Sequence, residues 1–206
     1  MPTADCTILL IRHAHNGMAG RFCGESDPPL SELGLAQAAN LASELASHPL
    51  THIFSSDLLR ARQTAEIIAS RSALPVGLLP ALREIRFGQW EGLSWDEVSA
   101  RDADYAARWM DAYPLLPAPG GEDFAAFRER VRGALAEVVR LASGGQAAVV
   151  THGGVIRTVL LDVLGLPPAA LASLSCEYAS CTELQLRDGR WHNLGLLRGQ
   201  QQTKSQ

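Results

Sequence analysis

The sequence has almost no lysine: of its 18 basic residues only Lys204 is one, and the rest are arginines. Against 22 acidic residues this leaves a formal net charge of −4. That balance argues against nucleic acid as a partner, because duplex affinity comes from a basic face that neutralises phosphates, so any anion site must be local. Long apolar runs are missing too. The longest, such as Ile8 to Ile11, hold four residues, far below the ~18 that span a bilayer. No basic start, extended apolar stretch or small-residue cleavage site marks the N-terminal segment for export, so a cytoplasmic location and no membrane association are expected. The four cysteines, Cys6, Cys23, Cys176 and Cys181, form no CxxC pair and no zinc-finger spacing, and reduced thiols are expected. What is present is 206 residues, 47% hydrophobic and 19% charged, enough apolar surface for one compact domain. It is expected over residues 1–198, with 199–206 as a disordered tail.

Periodicity orders the chain. Thr7 to Ile11 reads as a buried strand feeding a Gly-containing charged loop, and Ser31 opens an amphipathic helix that Pro49 ends. His52 to Ser55 reads as a strand, Asp57 to Arg71 as a helix, and Val76 to Leu79 as a third strand. Ser94 and Glu97 form a capping-box pair at a helix start. Pro114 to Gly121 is a Pro/Gly-rich loop and a candidate lid. Phe124, Phe127, Val131, Leu135, Val138 and Leu141 recur at helical spacing until Gly144. Ala147 to Thr151 is the next strand, Val155 to Leu164 a helix stopped by Gly165, and Thr182 to Leu186 a strand turning at Asp188 and Gly189. Alternating strands and helices predict an α/β fold, a three-layer α/β/α sandwich with a mainly parallel central sheet. Such sheets place ligands at the carboxyl ends of their strands, where Arg12, His13 and His152 fall.

Phosphoryl transfer to a side chain asks for a nucleophile, fixed cations around the phosphate oxygens and an acid for the leaving oxygen. His13 supplies a ring nitrogen as nucleophile, Arg12 a forked donor, His152 a further donor and Glu84 a candidate acid. Arg83 and Arg86 beside Glu84 favour its charged form, whereas a bound phosphate dianion favours the protonated one.

These residues sit in blocks that together resemble the histidine phosphatase superfamily, in its phosphoglycerate mutase-like branch. The blocks are LIRHAHN around His13, DPPLSELG from Asp27, SSDLLRARQTA from Ser55, LREIRFGQWEG from Leu82, PGGEDFAAF from Pro119 and VVTHGGVIR from Val149, in the family's order. The resemblance implies a phosphohistidine on His13 that water then hydrolyses, with a small-molecule phosphomonoester as substrate. It implies phosphate held by Arg12, Arg60, His152 and the Gly153 N–H, Glu84 as acid and base, and no metal or other cofactor. Two departures stand out: Ala14, His15 and Asn16 replace the family's usual residues after the histidine, with Ala19 where an asparagine is usual, and the segment from His13 to Arg21 is shorter than in the mutases. Asn16 is a substitute phosphate donor, and Arg21, Cys23 and Arg83 are further substrate-binding candidates. FGQWEG looks like the phosphatase rather than the mutase branch, with the α-ribazole phosphatases most similar. A homodimer is compatible with the resemblance.

Other readings remain open at this level. The chain could be a mutase that passes the phosphoryl group to a sugar acid, or an inactive phosphate-binding module. A metal-dependent hydrolase using the HxH pair His13 and His15 is opposed by the neighbouring Arg12, which would repel a cation, and by the larger barrel such motifs occupy. Trp90 and Trp95 are expected to pack in a core rather than line a pocket.

Overall fold

The computed structural model describes residues 5–197, and the expected tail at 199–206 lies outside them. In chain order the elements are β1 (Cys6–Arg12), α1 (Glu32–Leu45), β2 (His52–Ser55), α2 (Leu59–Ala69), β3 (Val76–Leu78), α3 (Trp95–Arg101), α4 (Ala103–Ala112), α5 (Phe124–Leu141), β4 (Gln146–Thr151), α6 (Gly153–Leu164), β5 (Cys181–Arg187) and β6 (Arg190–Leu197). The sheet runs β3-β2-β4-β1-β5-β6. Its first four strands are parallel, and β5 and β6 add an antiparallel edge.

Strand periodicity divides the core into two layers. Ile8 and Leu10 lie in register with Ala147 and Val149, and with Phe54 and Leu184 they pack under α5 and α6. Leu9 and Ile11 face the other way, beside Ala148 and Val150, against α1 and α2. A sheet covered on both faces accounts for the apolar runs in β1 and β4, since parallel strands have no solvent side.

The helices start where capping chemistry puts them. Ser31 accepts the Gly34 N–H, and Ser94 and Glu97 close the capping box of α3. The helix expected from Asp57 starts instead at Leu59. Leu58 offers no side-chain cap, and Asp27 from the preceding loop accepts the Leu59 N–H at 2.5 Å. α4 has no counterpart in the sequence reading. Asp102 leaves helical geometry at the end of α3 and then caps Tyr105, so one residue both stops a helix and starts the next.

α3 and α4 carry a separate aromatic cluster beside the main sandwich. Trp90 and Trp109 lie 5.2 Å apart, with Phe22, Trp95 and Tyr105 around them. Trp90 and Trp95 therefore pack, as expected. The Pro114–Gly121 loop is held down on this cluster: Pro119 accepts the Gln89 N–H and Pro117 accepts the Tyr105 hydroxyl.

Phe127 of α5 is buried in the larger core, so Phe127→Ala leaves a cavity there. A loss of about 3–5 kcal/mol is expected, read from urea unfolding of both proteins.

Candidate active site

Parallel pairing brings the two histidines together. Arg12 of β1 is level with Thr151 of β4, and the His13 N–H continues the ladder to the Thr151 carbonyl at 2.8 Å. The next residues out, His13 and His152, therefore emerge side by side at the strand ends, with ring centroids 5.1 Å apart. Ser56, after β2 on the other flank of β4, reaches His152 Nε2 at 2.8 Å.

The His13 tautomer follows from its partners. Its Nδ1–H donates to the Ala14 carbonyl at 2.8 Å, leaving the lone pair on Nε2, which receives the Arg60 Nε–H at 3.3 Å. Burial, then the charge of Arg60, holds the His13 pKa down at about 3, with Arg12 and His15 acting the same way against the Ala14 hydrogen bond. The ring is neutral, with its lone-pair nitrogen facing a cation. Burial and the charges of Arg60, His13 and Arg12 also push His152 well below the usual imidazole range. Ser56 Oγ accepts the Leu58 N–H. His152 Nδ1, on the far side of the ring from Ser56, is a buried nitrogen with no partner.

Arg60 is fully buried, and its donors go to neutral groups. Nε points at His13, Nη1 at the Ser26 carbonyl (2.6 Å) and Nη2 at the carbonyls of Cys23 (3.2 Å) and Gly24 (2.9 Å). Among the described residues no carboxylate forms an ion pair with Arg60 or Arg12. Arg12 is held by the Cys176 carbonyl at 2.5 Å and by the Tyr178 ring 3.8 Å below its guanidinium, while its buried Nε has no partner. Two guanidiniums without counter-charge, Arg60 buried and Arg12 partly buried, beside buried nitrogens with no partner, are chemically suited to an anion.

Glu84 stands on the neighbouring side. Its carboxylate accepts the Gly154 N–H at 2.9 Å, at the positive end of α6, and its own neighbour's N–H, that of Ile85, at 3.0 Å. A Cβ on Gly154 would lie 2.2 Å from Glu84 Oε1, so only glycine lets the acid sit there. Gly153 lies next to Arg12, with the Arg12 Nε 3.6 Å from where its Cβ would be.

Comparison with known proteins matches residues 8–197 to the histidine phosphatase superfamily (branch 1). The chain belongs to that family. A Yersinia pestis protein named "Probable phosphoglycerate mutase GpmB" is 31% identical over 186 residues, 89% of this chain and 86% of that one. A mycobacterial glucosyl-3-phosphoglycerate phosphatase superposes with a TM-score of 0.82 at 28% identity, covering 93% of this chain and 98% of the other. An α-ribazole phosphatase from Shigella flexneri shares the fold, with a TM-score of 0.87 at 24% identity over 97% and 100% of the two chains. Membership gives this histidine phosphatase enzymatic chemistry of the phosphatase or mutase type.

The remaining candidates of the histidine phosphatase fall into two groups. Asn16 and Cys23 are near the centre and bonded to each other, Asn16 Nδ2 donating to Cys23 Sγ at 3.6 Å while its Oδ1 accepts the Met18 N–H. Burial raises the Cys23 thiol above its usual range despite Arg60, so it is no activated nucleophile. Arg21 and Arg83 are each paired with a carboxylate on another segment. Arg21 donates to the Gly92 carbonyl and pairs with Glu97, and Arg83 forms a two-pronged bond to Asp57. Both are correctly basic loop residues in sequence, but their partners lie on other segments and were invisible there. His15 turns away from His13: its ring bonds Ser31 and lies edge-on to Tyr178, and the His13 Nε2 lone pair faces the Arg60 cation, which opposes a metal there. Among the described residues no three His, Cys, Asp or Glu side chains converge to hold a metal, and no helix is long and apolar enough to cross a membrane.

Three participants escaped the sequence reading. Tyr178 lies under Arg12 and beside His13, Ser56 orients His152, and Glu91 organises the loop that holds Arg60. Ser56 and Glu91 sat inside the blocks SSDLLRARQTA and FGQWEG, which is the only signal they gave. Tyr178 lies in no block.

The depressed histidine sets a pH slope for stability. Above about pH 6.5 His13 is neutral in both states, but as pH falls below 6.5 the unfolded chain takes up a proton that the folded site refuses until about pH 3. Stability is therefore lost on acidification, by up to about 1.4 kcal/mol per pH unit. His13→Asn is expected to flatten this part of the slope, measured as Tm against pH for both proteins.

Proposed function

We propose that the protein is a phosphomonoesterase acting on a small phosphorylated metabolite through a phosphohistidine on His13. The observation that carries this reading is the His13 Nε2 lone pair set against Arg60 beside two buried unpartnered nitrogens, Arg12 Nε and His152 Nδ1. A phosphate dianion placed there draws the His152 proton to Nδ1, satisfies both nitrogens and supplies the missing counter-charge, and developing charge on its oxygens meets preorganised donors.

The reaction then runs in two displacements. His13 Nε2 forms a bond to phosphorus as the ester P–O bond breaks, and Glu84 gives its proton to the departing alcohol oxygen. Water enters where the alcohol left and Glu84 takes its proton. The new P–O bond forms as the N–P bond breaks, returning His13 and releasing inorganic phosphate. The second step asks for no metal, because the acid–base work rests on Glu84. Gly154 keeps the Glu84 carboxyl at the helix end, and Tyr113, Pro114, Leu116 and Ala118 line a small cavity with Gly154 on that side. That flank is where the leaving group's substituents fall.

A second reading, transfer to a sugar acid, is favoured by the mutase name of the Yersinia relative. The two differ in whether water or a second alcohol discharges the phosphoenzyme.

Release of phosphate from p-nitrophenyl phosphate is expected to persist in excess EDTA and to fall at least about 1,000-fold in His13→Ala with a normal melting curve. Loss to EDTA would return the reading to a metal hydrolase. Label that passes from the phosphoenzyme to 3-phosphoglycerate faster than to water would select the mutase, and binding of phosphate without turnover the inactive module. Glu84→Gln is expected to slow alkyl phosphates about 100-fold more than p-nitrophenyl phosphate, whose leaving group needs less protonation. Equal loss on both removes Glu84 as the acid.

A further inference from the structure

Glu91 has no partner among the side chains that surround the phosphate site, yet it is the most heavily hydrogen-bonded carboxylate near it. Its two oxygens accept the N–H groups of Gly24 (3.1 and 3.0 Å), Glu25 (3.1 Å), Ser26 (3.2 Å) and Phe87 (3.0 Å), and the Ser26 hydroxyl at 2.7 Å. Three consecutive amides thus converge on one carboxylate. Burial pushes the Glu91 carboxyl up, but the Ser26 hydroxyl and the amides of Phe87, Glu25 and Ser26 outweigh it and hold the group below the usual carboxylate range. The same short loop presents its other polar face to Arg60, whose guanidinium takes the carbonyls of Cys23, Gly24 and Ser26. An anion therefore holds the donors of this segment and a cation holds its acceptors, so the intervening peptide dipoles are aligned between opposite charges. The packing leaves no slack: a Cβ on Gly24 would lie 2.5 Å from Glu91 Oε1 and 2.2 Å from the Ile85 carbonyl oxygen.

We propose that Glu91 is a positioning residue: by gathering the amides of residues 24–26 it turns that loop's carbonyls onto Arg60 and so fixes the guanidinium against His13 Nε2. Glu91 touches neither the nucleophile nor the anion site and acts only through the loop. The inference rests on the assignment of His13 and Arg60 to the reacting centre, but its first readout needs no turnover. The groups facing His13 are Arg60 from α2, Arg12 and His15 beside it in the chain, His152 at the start of α6 and Tyr178 from the loop before β5. Of these, Arg60 alone is held through the 24–26 loop.

Glu91→Gln keeps the shape but exchanges one acceptor oxygen for an NH2 group, which faces amide donors it cannot satisfy. In NMR spectra of the whole chain, the Arg60 Nε–H is expected to exchange with water at least about tenfold faster in this variant. With Arg60 displaced, the His13 ring is expected to titrate about one pH unit higher, and kcat/KM for p-nitrophenyl phosphate to fall about 10- to 100-fold. Ser26→Ala, which removes one donor from Glu91 and leaves the backbone intact, should move each readout the same way by less, and decides alone if Glu91→Gln does not fold. Glu97→Gln, which loosens the α3 cap, serves as the control and is expected to lower Tm without touching the Arg60 signal. A folded Glu91→Gln or Ser26→Ala protein with unchanged Arg60 exchange and His13 titration overturns the proposal. If both NMR signals shift while the unaltered protein hydrolyses no phosphomonoester, the positioning role stands and the phosphatase reading fails.

Discussion

A guanidinium with no solvent and no paired carboxylate is the constraint on which the site depends. Arg60 is fully buried, and such a charge is tolerated only if its donors are met by well-placed acceptors. Here they are met by a histidine nitrogen and three loop carbonyls. This arrangement leaves the positive charge uncancelled while satisfying its geometry. The consequence is electrostatic: burial, reinforced by this charge, keeps neighbouring His13 and His152 neutral, and the cluster presents oriented donors and uncompensated positive charge.

The sheet makes that arrangement possible. Three adjacent parallel strands, β2, β4 and β1, end at one level and deliver Ser56, His152 and His13 in a row. α2 follows β2 and carries Arg60 in its first turn, and α6 follows β4 and turns its free amides toward Glu84. Buried layers of aliphatic side chains on both faces fix the strands, so the histidines cannot drift apart without breaking two cores. The aromatic cluster of α3 and α4 lies to one side, and its contribution is to hold the Phe22–Gly92 and Gln89–Pro119 backbone contacts from which the loops around the site are hung.

Much of this was legible before any coordinates. Strand periodicity with two covered faces, the Ser31 and Ser94 caps, and the strand-end positions of His13 and His152 all follow from local chemistry. The ordered blocks resembling the family pointed to Arg12, Arg60 and Glu84 as well. Illegible were contacts made across long stretches of chain by residues with ordinary neighbours. Tyr178 under Arg12 and Glu91 under the 24–26 loop carry no local pattern. Arg21 and Arg83 show the same limit: their partners Glu97 and Asp57 lie on other segments, and no local pattern announces them. The α3–α4 break at Asp102 was hidden because capping there serves both helices at once.

The sequence by itself determined which elements form, α4 apart, that the sheet is mainly parallel, and which side chains have the chemistry for phosphoryl transfer, because periodicity, capping and functional-group type are properties of neighbouring residues. Only the tertiary structure decided which nitrogen of His13 carries the lone pair, which arginines lack a carboxylate partner and which are paired, and how Glu84 meets Gly154. Those depend on distances between segments up to 164 residues apart, as Arg12 is from Cys176, and no local rule sets them.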